Sequence, residues 1–221
     1  LCLFLLVLSA PLFAVDTDHD GLPDDWEIAN GRDPLVADYL VSAGGGHTCA
    51  LDDTGVVCWG GTNDWGQTDV PSLSNATKIS VGGQHTCALD DTGVVCWGRN
   101  QYGQTIVPQL INPTKVTAGR VHTCALDDTG VVCWGSNGNG QTTVPALSNP
   151  TQVSACWYNS CAIHDAGTVC WGLDKWGQTS VPTLTNPKQI ATGEAYACAL
   201  DDSGVVCWGY NGSGQTTVPT L

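Results

Sequence analysis

From residue 39 onward the apolar positions fall in short groups, and the groups recur in threes. The first group of each set covers 39–43, 78–81, 115–118, 152–155 and 189–192, where apolar and polar residues alternate as in Lys78-Ile79-Ser80-Val81. The second and third groups lie close together, as in Cys49-Ala50-Leu51 and Val56-Val57-Cys58-Trp59, separated by Asp52-Asp53-Thr54-Gly55. Short β-rich runs bounded by Asp, Thr and Gly predict strands, and a tight polar turn between two of them predicts a β-hairpin. A longer stretch follows each hairpin, rich in Gly, Asn, Thr and Pro, which predicts loop.

The hairpin sequence is written five times. His47–Gly60 reads HTCALDDTGVVCWG, and His85–Gly98 and His122–Gly135 repeat it letter for letter. Tyr196–Gly209 (YACALDDSGVVCWG) and Asn159–Gly172 (NSCAIHDAGTVCWG) are close variants. The first cysteines fall at Cys49, Cys87, Cys124, Cys161 and Cys198, a spacing of 38 and then 37 three times. A fixed period of this length means small units that bury their apolar faces only against neighbours. Three antiparallel strands per unit, with Pro71, Pro108, Pro145, Pro182 and Pro219 placed to edge a fourth outer strand, describe a β-propeller blade. A β-solenoid is the rival architecture, but its coils are shorter and lack a tight hairpin.

Ten of the 12 cysteines form C-x8-C pairs: Cys49/Cys58, Cys87/Cys96, Cys124/Cys133, Cys161/Cys170 and Cys198/Cys207. The two members of a pair are equidistant from the hairpin tip, so they face each other across the strands. Opposed Cα atoms about 4.5–5.5 Å apart suit a disulfide. Zinc ligation is the competing reading, but two-Cys sites without further ligands are poor zinc sites. Cys156 has no partner and is either a free thiol or a link to another chain.

Charge narrows the function. Lys and Arg total 7 against 21 Asp and Glu, a formal net charge of −14. Such a surface repels nucleic-acid phosphates and anionic lipid, so neither is an expected partner. Leu1–Leu8 is an apolar run followed by Ser9-Ala10-Pro11-Leu12-Phe13-Ala14, which reads as a secretory signal peptide over 1–14, truncated at its start. It is too short to span a bilayer. Secretion or cell-surface display supplies the oxidising compartment that disulfides need.

The pattern G-x-x-H-x-x-A-L…V-x-x-W-G-x-N-x-x-G-Q resembles the regulator-of-chromosome-condensation repeat. Trp134–Pro145 (WGSNGNGQTTVP) and Trp208–Pro219 (WGYNGSGQTTVP) resemble more closely the bacterial propeller-type β-lactamase inhibitory proteins. The resemblance covers about 39–221. It implies an all-β propeller of seven blades, of which five are seen, so the sequence is expected to be a fragment. It also implies partner contacts through aromatics in the loop between first and second strands. The matching positions are Gly46, Gln84, Val121, Tyr158 and Ala195, of which Tyr158, with Trp157 beside it, is aromatic.

Asp16–Glu27 (DTDHDGLPDDWE) matches the EF-hand loop D-x-[DN]-x-[DN]-G-x5-E. Ca²⁺ takes hard oxygens from a flexible loop, here carboxylates of Asp16, Asp18 and Asp20, the Leu22 carbonyl, Asp24 directly or through water, and bidentate Glu27. The segment resembles the single calcium loops of dockerins. Residues 15–38 are thus read as a calcium loop and linker, with 39–221 as the propeller.

Nothing in the repeats points to catalysis. His47, His85 and His122 occupy one equivalent place, which favours a structural hydrogen bond. The paired acids at 52–53, 90–91, 127–128 and 201–202 sit in turns, where Asp bonds the local backbone. The aromatics that differ between repeats are more informative. Trp65, Tyr102 and Trp176 share one loop position, Trp157 and Tyr158 stand in the most divergent repeat, and Tyr210 follows the last Trp-Gly. Varying aromatics on a fixed scaffold make a contact surface. The expected function is a secreted, non-enzymatic binding propeller that engages a protein or glycan through these six residues. Inhibition of a β-lactamase or related cell-wall enzyme is the first alternative, and a propeller hydrolase or lyase the second.

Overall fold

The computed structural model describes residues 40–52 and 54–220, together with Ile28. The signal-peptide stretch 1–14 and the calcium-loop residues Asp16, Asp18, Asp20, Leu22, Asp24 and Glu27 lie outside the described residues. The chain divides into two units, residues 1–39 with 52–54, and residues 40–51 with 55–221. In the first, Asp52 Oδ1 accepts from the Thr54 amide at 2.8 Å and the Thr54 hydroxyl at 2.7 Å.

The second unit is all-β. Its strands are β1 (Leu40–Ala43), β2 (Thr48–Asp52, the last residue shared with the first unit), β3 (Gly55–Trp59), β4 (Lys78–Val81), β5 (His85–Asp90), β6 (Gly93–Gly98), β7 (Lys115–Ala118) and β8 (His122–Asp127). They continue as β9 (Gly130–Gly135), β10 (Gln152–Cys156), β11 (Asn159–His164), β12 (Gly167–Gly172), β13 (Gln189–Thr192), β14 (Tyr196–Asp201) and β15 (Gly204–Gly209). They form five three-stranded antiparallel sheets, each taking its strands in chain order. These are propeller blades. The expected fourth strand is not formed among the described residues. The Val-Pro segments run as irregular chain, where proline has no N–H for a ladder. Instead Val144 and Val181 donate to Thr142 and Thr179 carbonyls two residues back.

The hairpin register places Cys87 opposite Cys96, Cys124 opposite Cys133, Cys161 opposite Cys170 and Cys198 opposite Cys207. All five predicted disulfides are present, with Cα separations of 4.0 to 4.1 Å. Hairpin tips close through their acids. Asp127 Oδ1 accepts from the Thr129 amide and hydroxyl, while Oδ2 accepts from the Ile111 amide of the incoming connector. Gly130 takes a φ of +120° there, open only to glycine. In the second, third and fifth blades the second acid of the pair holds an asparagine, as Asp128 Oδ2 accepts from Asn112 Nδ2 at 2.6 Å. The paired acids are therefore turn and connector fasteners.

Successive blades are joined by a repeated set of four groups. His85 Nε2 lies 2.9 Å from Thr123 Oγ1, and that hydroxyl donates to the Gln104 carbonyl, also at 2.9 Å. Because the hydroxyl proton is spent on the carbonyl, the imidazole donates through Nε2–H. The same carbonyl accepts Trp134 Nε1–H at 2.9 Å. His47, Thr86, Gln67 and Trp97 make the preceding joint, and His122, Ser160, Gln141 and Trp171 the following one. First strands add a further link, with Ser42, Ser80, Thr117 and Ser154 hydroxyls accepting from Val81, Ala118, Ala155 and Thr192 amides. Trp97, Trp134, Trp171 and Trp208 are only 8 to 9% exposed. Trp59 has no Gln carbonyl to meet among the described residues and is 50% exposed. Small apolar clusters complete the core, such as Cys124, Leu126, Val153 and Ala155. Among the described residues no helix is long and apolar enough to cross a membrane.

The joint explains Cys156. A Cβ built on Gly119 would lie 2.2 Å from Cε1 of the buried His122, so this glycine makes room for the imidazole. Gly82 stands in the same relation to His85. In the fourth blade both positions change together, Cys156 replacing the glycine and Asn159 the histidine. The partner hydroxyl is also gone, Ala197 standing where Thr or Ser stands elsewhere, and both amide atoms of buried Asn159 lack a partner. Gly119→Ala alone should destabilise the fold by about 3 kcal/mol through overpacking. Combined with His122→Asn, much of that loss should vanish. Urea unfolding of the two single variants and the double gives the coupling, and strict additivity would show that the two positions do not share one space.

Candidate functional site

Register decides which loops share an edge of the blades. His85 pairs with Gly98 at one end of the hairpin, and Asp90 with Gly93 at the other. The loop entering a hairpin from the first strand and the loop leaving it after Trp-Gly therefore emerge together, while the acidic tips point the opposite way. All six aromatics named from the sequence lie on the first of these edges.

They group around cations. The Arg99 guanidinium carbon lies 5.0 Å from the Trp65 ring centroid and 5.9 Å from that of Tyr102. Arg120 lies 4.4 Å from Trp157 and 5.5 Å from Tyr158, and its Nη1 donates to the Tyr158 hydroxyl at 2.8 Å. Trp176 and Tyr210 pack with ring planes tilted by 56° and centroids 4.9 Å apart, and Lys175 sits 4.9 Å from the Trp176 ring. Such contacts contribute about 0.5–1 kcal/mol each at exposed sites, so they orient these side chains more than they stabilise the fold. Trp65, Tyr102 and Trp176 are 40%, 52% and 48% exposed.

The backbone beneath the aromatics is fixed by the Gly-Gln motif. The amides of Trp65, Tyr102 and Trp176 donate to Oε1 of Gln67, Gln104 and Gln178, two residues on. Asn63 and Asn100 side chains bind the amides of Thr68 and Thr105, and Asp174 binds that of Thr179. Trp157 is held differently. The fourth blade extends its first strand by one residue, pairing Cys156 with Asn159, so Trp157 and Tyr158 form the whole turn. Trp157 has a φ of +38°, an uncommon conformation for a bulky residue.

Beside this turn lies a cavity of about 430 Å³. Its floor is the glycine-rich ends of the first three blades' entry loops, and its rim includes Arg99, Arg120, Cys156 and Trp157. The two arginines were not singled out by sequence reasoning. Their signal was rarity, as two of the three arginines in the chain. Cys156 is a free, half-buried thiol, and burial pushes it up to about 11, so it stays protonated.

The regulator of chromosome condensation (RCC1) repeat model matches residues 76–104, 114–141 and 188–215. Three of the five blades thus match this repeat, and the fold is that of the repeat's propellers. The matched segments are the second, third and fifth blades. Among solved structures, the chain is similar to the CRINKLY WD40 ectodomain of the Arabidopsis thaliana receptor kinase ACR4, with 27% identity and a TM-score of 0.66 over 83% of this chain and 67% of that one. It is also similar to the entire ectodomain of the Physcomitrella patens receptor kinase CR4, with 26% identity and a TM-score of 0.64 over 80% of this chain. It spans about half of that ectodomain, 52%. Prp20p from Saccharomyces cerevisiae, whose binding to Gsp1p and histones is described, shares the fold with 17% identity and a TM-score of 0.69, over 82% of this chain and 60% of that one. No curated protein matches the chain.

In the first three blades the histidine is part of the joint and not of a site. His85 and His122 are fully buried. Burial pushes His85 down to about 3, helped by its neighbours His122 and His47, and pushes His122 down to about 4 against an opposing contact with the Trp157 backbone. Among the described residues no three His, Cys, Asp or Glu side chains are placed to hold a metal ion. Asp90 and Asp127 sit below the usual carboxylate range. Burial, which would raise them, is outweighed by the amides and hydroxyls of the turn. A turn aspartate held ionised in this way is a poor general acid.

Proposed function

We propose that this chain is a non-catalytic, extracellular protein-binding propeller that engages its partner through the aromatic edge. The observation that carries the reading is the convergence of all six repeat-specific aromatics on one edge, each beside a cation or a second ring. Aromatic and Arg side chains dominate binding energy at protein interfaces, and here the scaffold positions of each repeat are spent on joints and turns. Five disulfides fit an oxidising compartment, and the receptor-kinase structures similar to this chain are ectodomains. The Asp16–Glu27 calcium loop remains part of this proposal as a junction element.

The test is a titration of the disulfide-intact chain against serine β-lactamases, penicillin-binding proteins and envelope glycans, followed by interferometry. For the protein that binds, Trp157→Ala with Tyr158→Ala should weaken affinity about 30-fold or more, the loss typical of a hot spot. A binder indifferent to this pair and to Trp176→Ala with Tyr210→Ala would remove the aromatic edge as the site. Binding to glycans alone would replace a protein partner by a carbohydrate one.

A further inference from the structure

We propose that the cavity between Arg99, Arg120 and Trp157 receives a side-chain carboxylate of an acidic peptide segment. This rests on the aromatic edge being the binding surface and names what part of it recognises. The cavity of about 430 Å³ is large enough to take the side chains of a short peptide segment.

Charge supports the assignment. The chain is strongly acidic, yet the residues lining this cavity include two arginines and no acid. Neither guanidinium has a carboxylate partner among the described residues. Arg99 bonds the neutral Gln84 and Gln101 side chains, and Arg120 bonds the Tyr158 hydroxyl. Of five N–H donors on each guanidinium, these bonds use three on Arg99 and one on Arg120, so both can still donate to a carboxylate. The aromatic rings beside both guanidinium groups, at 4.4 to 5.9 Å, hold the two cations at the cavity rim. The acids of the hairpin tips, Asp90, Asp91, Asp127 and Asp128, lie at the far edge of the blades, so they oppose an incoming anion only at long range, where salt screens them. Glu194, on the fifth blade, is the acid whose charge reaches Cys156 at the rim.

The rest of the lining distinguishes a peptide from a sugar acid. Ala43, Val81 and Ala118 are apolar, and the loop amides of Gly45, Gly83 and Arg120 are already bonded to carbonyls of the next blade. Gln84 is the neutral polar side chain of the lining, and Arg99 already occupies its Oε1. A uronic acid would bring a ring of hydroxyls with few groups to meet them. A glutamate or aspartate beside an apolar residue brings a carboxylate and a hydrocarbon.

The probe is the capped peptide acetyl-Glu-Phe-Glu-Glu-amide, titrated calorimetrically at low salt into the disulfide-intact chain. Its all-glutamine counterpart, inorganic phosphate and oligogalacturonate serve as comparisons. The glutamate peptide should bind, the glutamine peptide should bind at least about tenfold more weakly, and Arg99→Gln or Arg120→Gln should each cost about tenfold, as loss of a charged hydrogen bond does. Both substituted residues are surface groups, so unchanged thermal melts will show that the variants fold. Equal affinity for the two peptides, indifference to both arginine variants, no binding at all, or tighter binding of phosphate or oligogalacturonate would each overturn the assignment. The two readings separate cleanly. A partner weakened by Trp157→Ala but not by Arg99→Gln or Arg120→Gln leaves the aromatic edge standing and removes the carboxylate pocket. A partner indifferent to both sets removes both.

Discussion

Complete reduction of the disulfides should unfold this propeller under conditions where the oxidised protein is fully native. Each bridge closes a loop of sequence separation 9, which on the chain-entropy model stabilises by about 2.5 kcal/mol. Even half the sum over five bridges approaches the total stability of an ordinary domain, about 5–15 kcal/mol. The blades have little else to fall back on, because their apolar clusters are small. The cluster around Cys87 contains Leu89 and Val116 as its other buried residues. Near- and far-ultraviolet circular dichroism with increasing phosphine reductant gives the measurement. Retention of the native spectrum after all thiols have been counted as free would show that the strand ladders and joints hold the fold alone. A single bridge removed by Cys124→Ala with Cys133→Ala should lower the melting temperature by about 5–10 °C.

Acid should begin to destabilise the protein above the range in which its carboxylates protonate. In the unfolded chain a histidine takes up its proton near 6.5, whereas in the fold burial holds His122 near about 4 and His85 near about 3. Above 6.5 both states are neutral and these residues add no pH dependence. As pH falls below 6.5, the unfolded chain binds protons that the folded chain refuses, so stability declines until about 4 and then about 3. At about 1.4 kcal/mol per pH unit for each histidine, the pair removes about 5 kcal/mol by a pH of about 4.5. His47, lowered for the same reason, adds to the loss. Asp90 and Asp127, held below the usual range, contribute in the same direction only at lower pH. Relief of negative self-repulsion opposes this weakly and is screened by salt. Urea unfolding between pH 7 and 5 measures the slope. His85→Gln with His122→Gln, which keeps an N–H for Thr123 and Ser160, should flatten it. An unchanged slope would place the acid sensitivity elsewhere.

Those two properties differ in how plainly the sequence announced them. The bridges follow from local symmetry, since two cysteines equidistant from Asp-Asp-Thr-Gly must face each other in a hairpin. The turn acids are legible for the same reason, as both ends of the bond lie within a few residues. The structural role of the histidines was legible from their equivalent positions, but their partner was not. His85 reaches Thr123 across 38 residues of sequence, and only packing of blades brings them together. The fourth strand failed because alternation and proline position were read without a partner edge to pair with. Cys156 looked like an orphan until its register with Asn159 showed two coordinated replacements. Arg99 and Arg120 were overlooked because they belong to different repeats and meet only at the cavity rim.

The joint between blades has a direction. One side supplies the imidazole and the glutamine carbonyl, and the other supplies the hydroxyl and the indole, so the first three blades, which carry both halves, can follow one another in any order. Such a connector places no ceiling on copy number. Among these three, a gene segment of about 37 codons can be duplicated or lost in frame, and the neighbours it leaves behind already carry matching halves. Near-identity of three hairpins, letter for letter, is what recent copying by that route would leave in the chain.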